Sequence, residues 1–266
     1  MDLQNILTAI EKTDPEIYER LDTRRSAMKS FANVGKVLAL SAIPLALSSM
    51  FKKAYGRTPA DVLSVLQFAL LLEHLESGFY TEAITHTSLF DAAGLAAFTT
   101  ISNHEAAHVT LLTQTIQALG GTPDPAPTFD YTADGTFPSV FSSYSTLLAI
   151  AQGFEDTGVR AYKGQAANLQ ENKTVLTVAL QIHSVEARHA AHIRRMRGQK
   201  GWITGKATDI SAIQATYNGE EVEAQGGVTI TGIASQVDAN AATESFDEPL
   251  DRAAVTAIVS PFIVTV

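Results

Sequence analysis

Glu105-Ala106-Ala107-His108 and Glu186-Ala187-Arg188-His189 each set a carboxylate and an imidazole three residues apart. On a helix, positions i and i+3 share a face, so both donors can converge on one cation. Glu73 precedes Glu105 by 32 residues, and Glu155 precedes Glu186 by 31. A single Glu on each of two helices plus Glu-x-x-His on each of the other two is the donor set of a two-metal carboxylate site in a helical bundle. Carboxylates bridge cations, and imidazole suits iron. Without cations, such a buried cluster would cost on the order of several kcal/mol per ion. Few basic groups, such as Arg160 and Arg188, stand close enough in sequence to offset that charge.

Further polar residues accompany the pattern. Tyr80 and Tyr162 each follow a glutamate by seven residues, Glu73 and Glu155 respectively, two turns on along the same face. Either could hydrogen-bond a ligand carboxylate or act as a redox partner, and plain core packing is the alternative. Glu76, one turn after Glu73, is a rival or extra ligand. The repeat favours Glu73, because Gly158 occupies the place matching Glu76 in the third helix. His74, His104, His183 and His192 neighbour the site in sequence and are expected to be surface or packing histidines. His192, one turn beyond His189, could line an entry path.

Four helices must position these groups. Thr58-Pro59-Ala60-Asp61 reads as a helix start, with Thr58 as cap, Pro59 in the first turn and Asp61 at the positive end of the dipole. The pattern runs to about Thr87, breaks at 88–91, and resumes until Gly120-Gly121-Thr122-Pro123 stops it. Residues 122–136, rich in Pro, Asp, Thr and Gly, form a crossover. A third helix is expected from near Pro138 to about Leu169, and a fourth from 172 to near Gly198. Helical spacing then gives one seam per helix: Val62, Leu66, Ala69, Glu73 and Tyr80; Phe98, Ile101, Glu105, His108, Leu112, Thr115 and Leu119; Leu148, Ala151, Glu155, Val159 and Tyr162; Val175, Ala179, Ile182, Glu186, His189, Ile193 and Met196. Glu73 and Glu105 are equidistant from position 89, and Glu155 and Glu186 from 170.5, both inside predicted turns. In each antiparallel hairpin the donors therefore share one level, about 20 Å from the turn. The fold class is all-α: an antiparallel four-helix bundle with a long second-to-third crossover, built as a repeated hairpin.

Composition narrows the chemistry. The 266 residues carry a formal charge of −9, which speaks against a nucleic-acid partner. There is no cysteine, which excludes disulfides, thiolate zinc sites and iron–sulfur clusters. Metal must be held by His, Asp and Glu, suiting iron, manganese or a mononuclear zinc ion.

Leu72-Glu73-His74-Leu75-Glu76-Ser77-Gly78-Phe79-Tyr80, Asn103-His104-Glu105-Ala106-Ala107-His108 and Glu186-Ala187-Arg188-His189 resemble the ferritin-like domain proteins related to plant desiccation proteins. Ser245-Phe246-Asp247-Glu248-Pro249-Leu250 and Ile258-Val259-Ser260-Pro261-Phe262 resemble that family's C-terminal signature. The resemblance covers about residues 55–262. It implies a ferritin-like fold with a di-iron or di-manganese centre on Glu73, Glu105, His108, Glu155, Glu186 and His189. Cage-forming ferritins differ: this chain lacks their brief fifth helix directly after the bundle.

Three segments follow: 1–54 ahead of the bundle, 55–198 as the bundle, and 199–266 as a C-terminal extension packing on it. The first contains Thr23-Arg24-Arg25-Ser26-Ala27-Met28-Lys29 and an apolar run from Val37 to Phe51. It resembles a twin-arginine export signal, which implies a periplasmic or exported protein. The alternative is a helical arm on a cytoplasmic protein; the run is short for a membrane span. The extension is expected to be mostly irregular, with a short strand or two at 228–234, a short helix at 250–260, and an apolar end, Phe262 to Val266. The arm and that tail are candidate contacts for a homo-oligomer.

Three functions stay open at this point. One is a redox enzyme whose di-iron centre oxidises Fe(II) or reduces peroxide. The second is manganese catalase-type peroxide disproportionation. The third is a non-enzymatic protective or assembly-forming protein. The partners implied are metal ions with oxygen or peroxide.

Overall fold

The computed structural model describes residues 59–264, so the export-signal, arm and Thr58 capping readings lie outside the described residues. Helix α1 spans Pro59–Ala83 with Asp61 in its first turn. A 3-10 turn, Thr87–Leu89, leads to α2, Ala92–Ala118. Asp91 caps α2 by accepting the Gly94 N–H at 2.7 Å, an interaction worth about 1 kcal/mol. Its far end closes when the Gly120 N–H donates to Gln117 and the Gly121 N–H to Ile116. Gly120 sits there at φ +82, where a side chain would strain the backbone.

The crossover is tied to α1. The Gln67 amide donates to the Thr122 carbonyl and accepts from the Asp124 N–H. Tyr131 donates its hydroxyl to the Leu75 carbonyl at 3.1 Å. The third helix starts later than its apolar spacing suggests: α3 spans Tyr144–Ala166, and Pro138 lies in a run of turns. The Asp130 carboxylate accepts from the N–H groups of Thr132 and Asp134, while Ala133 and Asp134 are left-handed at φ 48 and 54. Phe137 and Val140 are buried from this knot rather than from a helix. Ser143 caps α3, and Asn172 caps α4, Lys173–Met196, after a 3-10 turn at Ala167–Leu169.

The hairpins α1–α2 and α3–α4 pack chiefly along α1 against α3. The expected seams face inward, and all their residues are buried except Leu119 and Met196, which are half-buried. Helix α3 departs from a one-seam reading, since every residue from Leu147 to Tyr162 is buried. Its outer face carries Gln152, Asp156 and Arg160, and the C-terminal extension covers it. Tyr217, at the end of a 3-10 stretch Ser211–Tyr217, donates to Asp156 and accepts from Gln152. The Leu250 N–H donates to the Arg160 carbonyl at 3.1 Å. A Cβ on Gly164 would lie 1.9 Å from the Leu250 carbonyl oxygen, so this contact requires glycine.

The strands are shorter than expected and begin earlier. β1, Ala224–Gln225, pairs with β2, Val228–Thr229, across Gly226-Gly227, both at positive φ as a tight hairpin demands. Beyond Thr229, Ile233 is 61% exposed, so no apolar face extends the strand. Short helix α5, Ala239–Thr243, precedes α6, Arg252–Val259. Val255, Val259 and Phe262 then join the core, where Phe262 meets Phe154 edge-on at 4.9 Å. The tail turns back on its own chain: Ile263 bridges Phe129, and the Val264 N–H donates to the Thr128 carbonyl.

Candidate metal centre

Each hairpin contributes half of one buried cluster. Glu73, Glu105, Glu155 and Glu186 are fully buried; His108 and His189 are 8% and 5% exposed. The Nδ1 of His108 lies 3.1 Å from Glu73, 3.1 Å from Glu105 and 3.3 Å from Glu186. The Nδ1 of His189 lies 2.9 Å from Glu105 and 3.2 Å from Glu155. Two overlapping groups result, Glu73–Glu105–His108–Glu186 and Glu105–Glu155–Glu186–His189, each with donor atoms within 4.8 Å of one another. Glu105 and Glu186 belong to both. The remaining Glu and His in each group are related by the sequence repeat.

Glu76 enters the cluster as well. It is 3% exposed, and the repeat explains the room it occupies. A Cβ at Gly158 would meet Glu186 Oε2 at 2.9 Å and Glu76 Oε1 at 3.1 Å. The missing side chain on α3 is thus filled by a carboxylate from α1. Glu73 and Glu76 are both present, where the repeat alone weighed one against the other.

The two tyrosines cross between hairpins. Tyr80 on α1 donates to Glu155 on α3 at 2.5 Å, and Tyr162 on α3 donates to Glu73 on α1. Each fixes one oxygen of its carboxylate and leaves the other free to face the cluster.

Electrostatics show how strained the protein is without cations. Burial, reinforced by repulsion from Glu186, raises the Glu73 carboxyl well above its usual range. Burial and neighbouring glutamates raise Glu76 and Glu186 likewise. Burial also raises Glu155, against the opposing pull of His189. Glu105 departs from this trend: burial pushes it up, but the adjoining His108 and His189 imidazoles prevail and hold it at about 2. Burial disfavours the imidazolium forms, yet the surrounding carboxylates push His108 up to about 12 and His189 up to about 10. Five carboxylates surround two imidazoles; Glu105 Oε1, Glu155 Oε2, both oxygens of Glu186 and His189 Nδ1 are buried without a well-aligned hydrogen bond, although imidazole and carboxylate atoms approach to 2.9–3.3 Å. Buried polar atoms are ordinarily satisfied, so a group left without aligned partners at one centre fits cations there.

Among the described residues, neither Arg160 nor Arg194 relieves the cluster. Arg160 points to the opposite side of α3, pairing with Glu220 at 2.7 Å and donating to the carbonyls of Thr216, Asn218 and Glu248. The expectation that Arg160 helps to offset the glutamates is therefore corrected. Arg194 is likewise engaged by Asp156.

The other histidines separate. His104, expected at the surface or in packing, pairs its Nδ1 with His189 Nε2 at 2.9 Å, the rings stacked at 5.2 Å. Sequence reading missed this partner; the one available signal is that His104 adjoins Glu105. His192 lines a cleft between α2 and α4 together with His104, His108 and His189. His74 stands apart, on the crossover side near Asp124. His183 faces the Val159 backbone.

A family model described as a ferritin-like domain matches residues 61–199, more than half of the chain. No curated protein matches.

Proposed function

This chain belongs to the ferritin-like domain family, and we propose that its core holds two metal ions, iron in preference to manganese. Glu73, Glu105, His108, Glu155, Glu186 and His189 would hold them, with Glu76 as a further ligand. The observation that carries this reading is the convergence of buried carboxylate and imidazole donor atoms from four helices, acids outnumbering bases. Redox-active cations in such a site exchange electrons with oxygen or peroxide, and on this reading the protein oxidises Fe(II) or reduces peroxide in stress protection.

The chain's own residues set the terms. Glu105 and Glu186 are common to both donor groups and would help to hold both ions. Tyr80 and Tyr162 orient the two outer carboxylates. His104 holds the outer edge of the His189 ring and so fixes its plane. The apolar core around Phe79, Tyr80 and Phe98 keeps bulk water from one end of the site. The cleft beside His108 and His189 supplies access from the other side.

The test is to load metal-free protein anaerobically with Fe(II) and add oxygen or peroxide in a stopped-flow cell. Fe(II) oxidation faster than in Glu105→Ala is the expected result. Peroxide disproportionation by the manganese-loaded protein, with iron inert, would replace this reading by a manganese catalase-type one. A fully metallated protein with neither activity would leave a non-enzymatic protective or assembly role.

A further inference from the structure

The cleft between α2 and α4 measures about 830 Å³ and is open to solvent. Oxygen or peroxide needs a small fraction of that space. Ala96, Ala97 and Ile101 form an apolar strip along α2 that leads to His108. Arg188 stands on the α4 wall, exposed, and has no hydrogen-bond or ion-pair partner among the described residues. An unpaired guanidinium beside an apolar strip, on a chain of formal charge −9, is a local attractor for an anion.

A second observation lies at the inner end. His108 is 8% exposed, and its ring lines the cleft. Its Nδ1 serves the glutamates, but its Nε2 has no hydrogen-bond partner among the described residues. On His189 the matching nitrogen is taken by His104. A cation on Nδ1 leaves the proton of a neutral imidazole on Nε2, which makes His108 a donor facing the cleft. Donor, guanidinium and apolar strip therefore border one space.

We propose that this cleft binds a small organic acid with an apolar tail: its carboxylate accepts from His108 Nε2 and Arg188, and its alkyl part lies along Ala96, Ala97 and Ile101. The proposal goes beyond the two-metal reading and does not need it, because His108 Nε2 carries its proton whether a cation or a second proton occupies Nδ1. It adds to that reading a class of ligand that approaches the centre, one far larger than oxygen or peroxide.

The test is calorimetric titration of the protein as purified with octanoate, with octanol and acetate as separate arms and elemental analysis of the same sample. Octanoate should bind at least tenfold more tightly than octanol, which lacks the charge, and than acetate, which lacks the tail. Arg188→Gln should weaken octanoate roughly tenfold, the loss of one charge-assisted hydrogen bond. Ala97→Leu should weaken it by filling the strip, while metal content in both variants stays at the wild-type level. Absence of octanoate binding to metal-loaded protein overturns the cleft proposal and leaves the metal reading standing. Equal binding of octanol or of acetate overturns it too, as does an affinity unchanged by both substitutions. Octanoate binding by protein that takes up no metal on loading keeps the cleft proposal and sinks the two-metal reading.

Discussion

Tyr80 donates its hydroxyl to Glu155 at 2.5 Å, from the first helix of one hairpin to the first helix of the other. Tyr162 returns the contact to Glu73, so the tyrosines and outer glutamates form a reciprocal pair across the bundle. Burial first, and then the nearby carboxylate charge, pushes both phenols well above their usual range, which keeps them donors at any physiological pH. Removing the hydroxyls should leave the carboxylates free to rotate. Tyr80→Phe with Tyr162→Phe should lower metal affinity roughly 10–100-fold. Equilibrium dialysis against a competing chelator measures this; an unchanged affinity would assign the tyrosines to packing alone.

Gly158→Ala tests the room that Glu76 occupies. The added methyl would meet Glu186 and Glu76 oxygens at 2.9 and 3.1 Å, both at the ends of side chains that can move. The fold should tolerate the change, because alanine favours a helix over glycine by about 1 kcal/mol. The metal site should not, because those oxygens must leave their positions. The expected outcome is an unchanged or raised melting temperature with a clear loss of bound metal. Full metal retention would place Glu76 and that side of Glu186 outside the ligand set.

Metal uptake should release protons. In metal-free protein the carboxylates raise His108 from 6.5 to about 12 and His189 from 6.5 to about 10. Both rings are therefore protonated at neutral pH, and a cation on Nδ1 must displace that proton. Because the folded pKa lies above the unfolded one, each imidazolium's contribution to metal-free stability is fully present below pH 6.5. That contribution is lost as pH rises toward the folded values. Metal-free protein should accordingly become less stable from neutral to alkaline pH, while metal affinity rises. Calorimetric titration of metal into protein in two buffers of different ionisation enthalpy reads the protons directly; no proton release would contradict the histidine assignment.

The clamp on the outer face of α3 should matter for stability and not for metal. Glu220→Ala strips the buried Arg160 of its carboxylate partner, 2.7 Å away. Breaking a buried pair from one side costs about 3–5 kcal/mol. Three backbone carbonyls still receive the guanidinium, so the lower end is expected. Denaturant titration should show the loss, with metal per folded chain unchanged. A parallel fall in both quantities would mean that the clamp also shapes the site.

The donor pattern was legible because its logic is local. Glu-x-x-His needs only the i, i+3 geometry, and the equal spacing of each Glu from its turn sets the level. What stayed hidden depends on which face meets what. Gln152, Asp156 and Arg160 follow helical spacing off the expected seam of α3, and residues 211–250 fold back over them. Arg160 therefore looked available to the glutamates while facing the other way. The third helix was expected from near Pro138, but the turns that include left-handed Ala133 and Asp134 run on to Ser143, which caps it. His104 adjoins Glu105 on the helix, yet it reaches His189 only because α4 lies opposite. Apart from the local turns ahead of α3, each miss is a long-range contact with no periodic trace in the sequence.

Metal per chain in protein purified without added metal, set against Glu105→Ala combined with His189→Ala, tests the central claim most directly. The two substitutions remove one carboxylate common to both donor groups and one imidazole. Two ions per wild-type chain, mainly iron, and almost none in a folded double variant are predicted. Wild-type protein that binds no metal under any loading condition, or a double variant that binds as much as wild type, would contradict it.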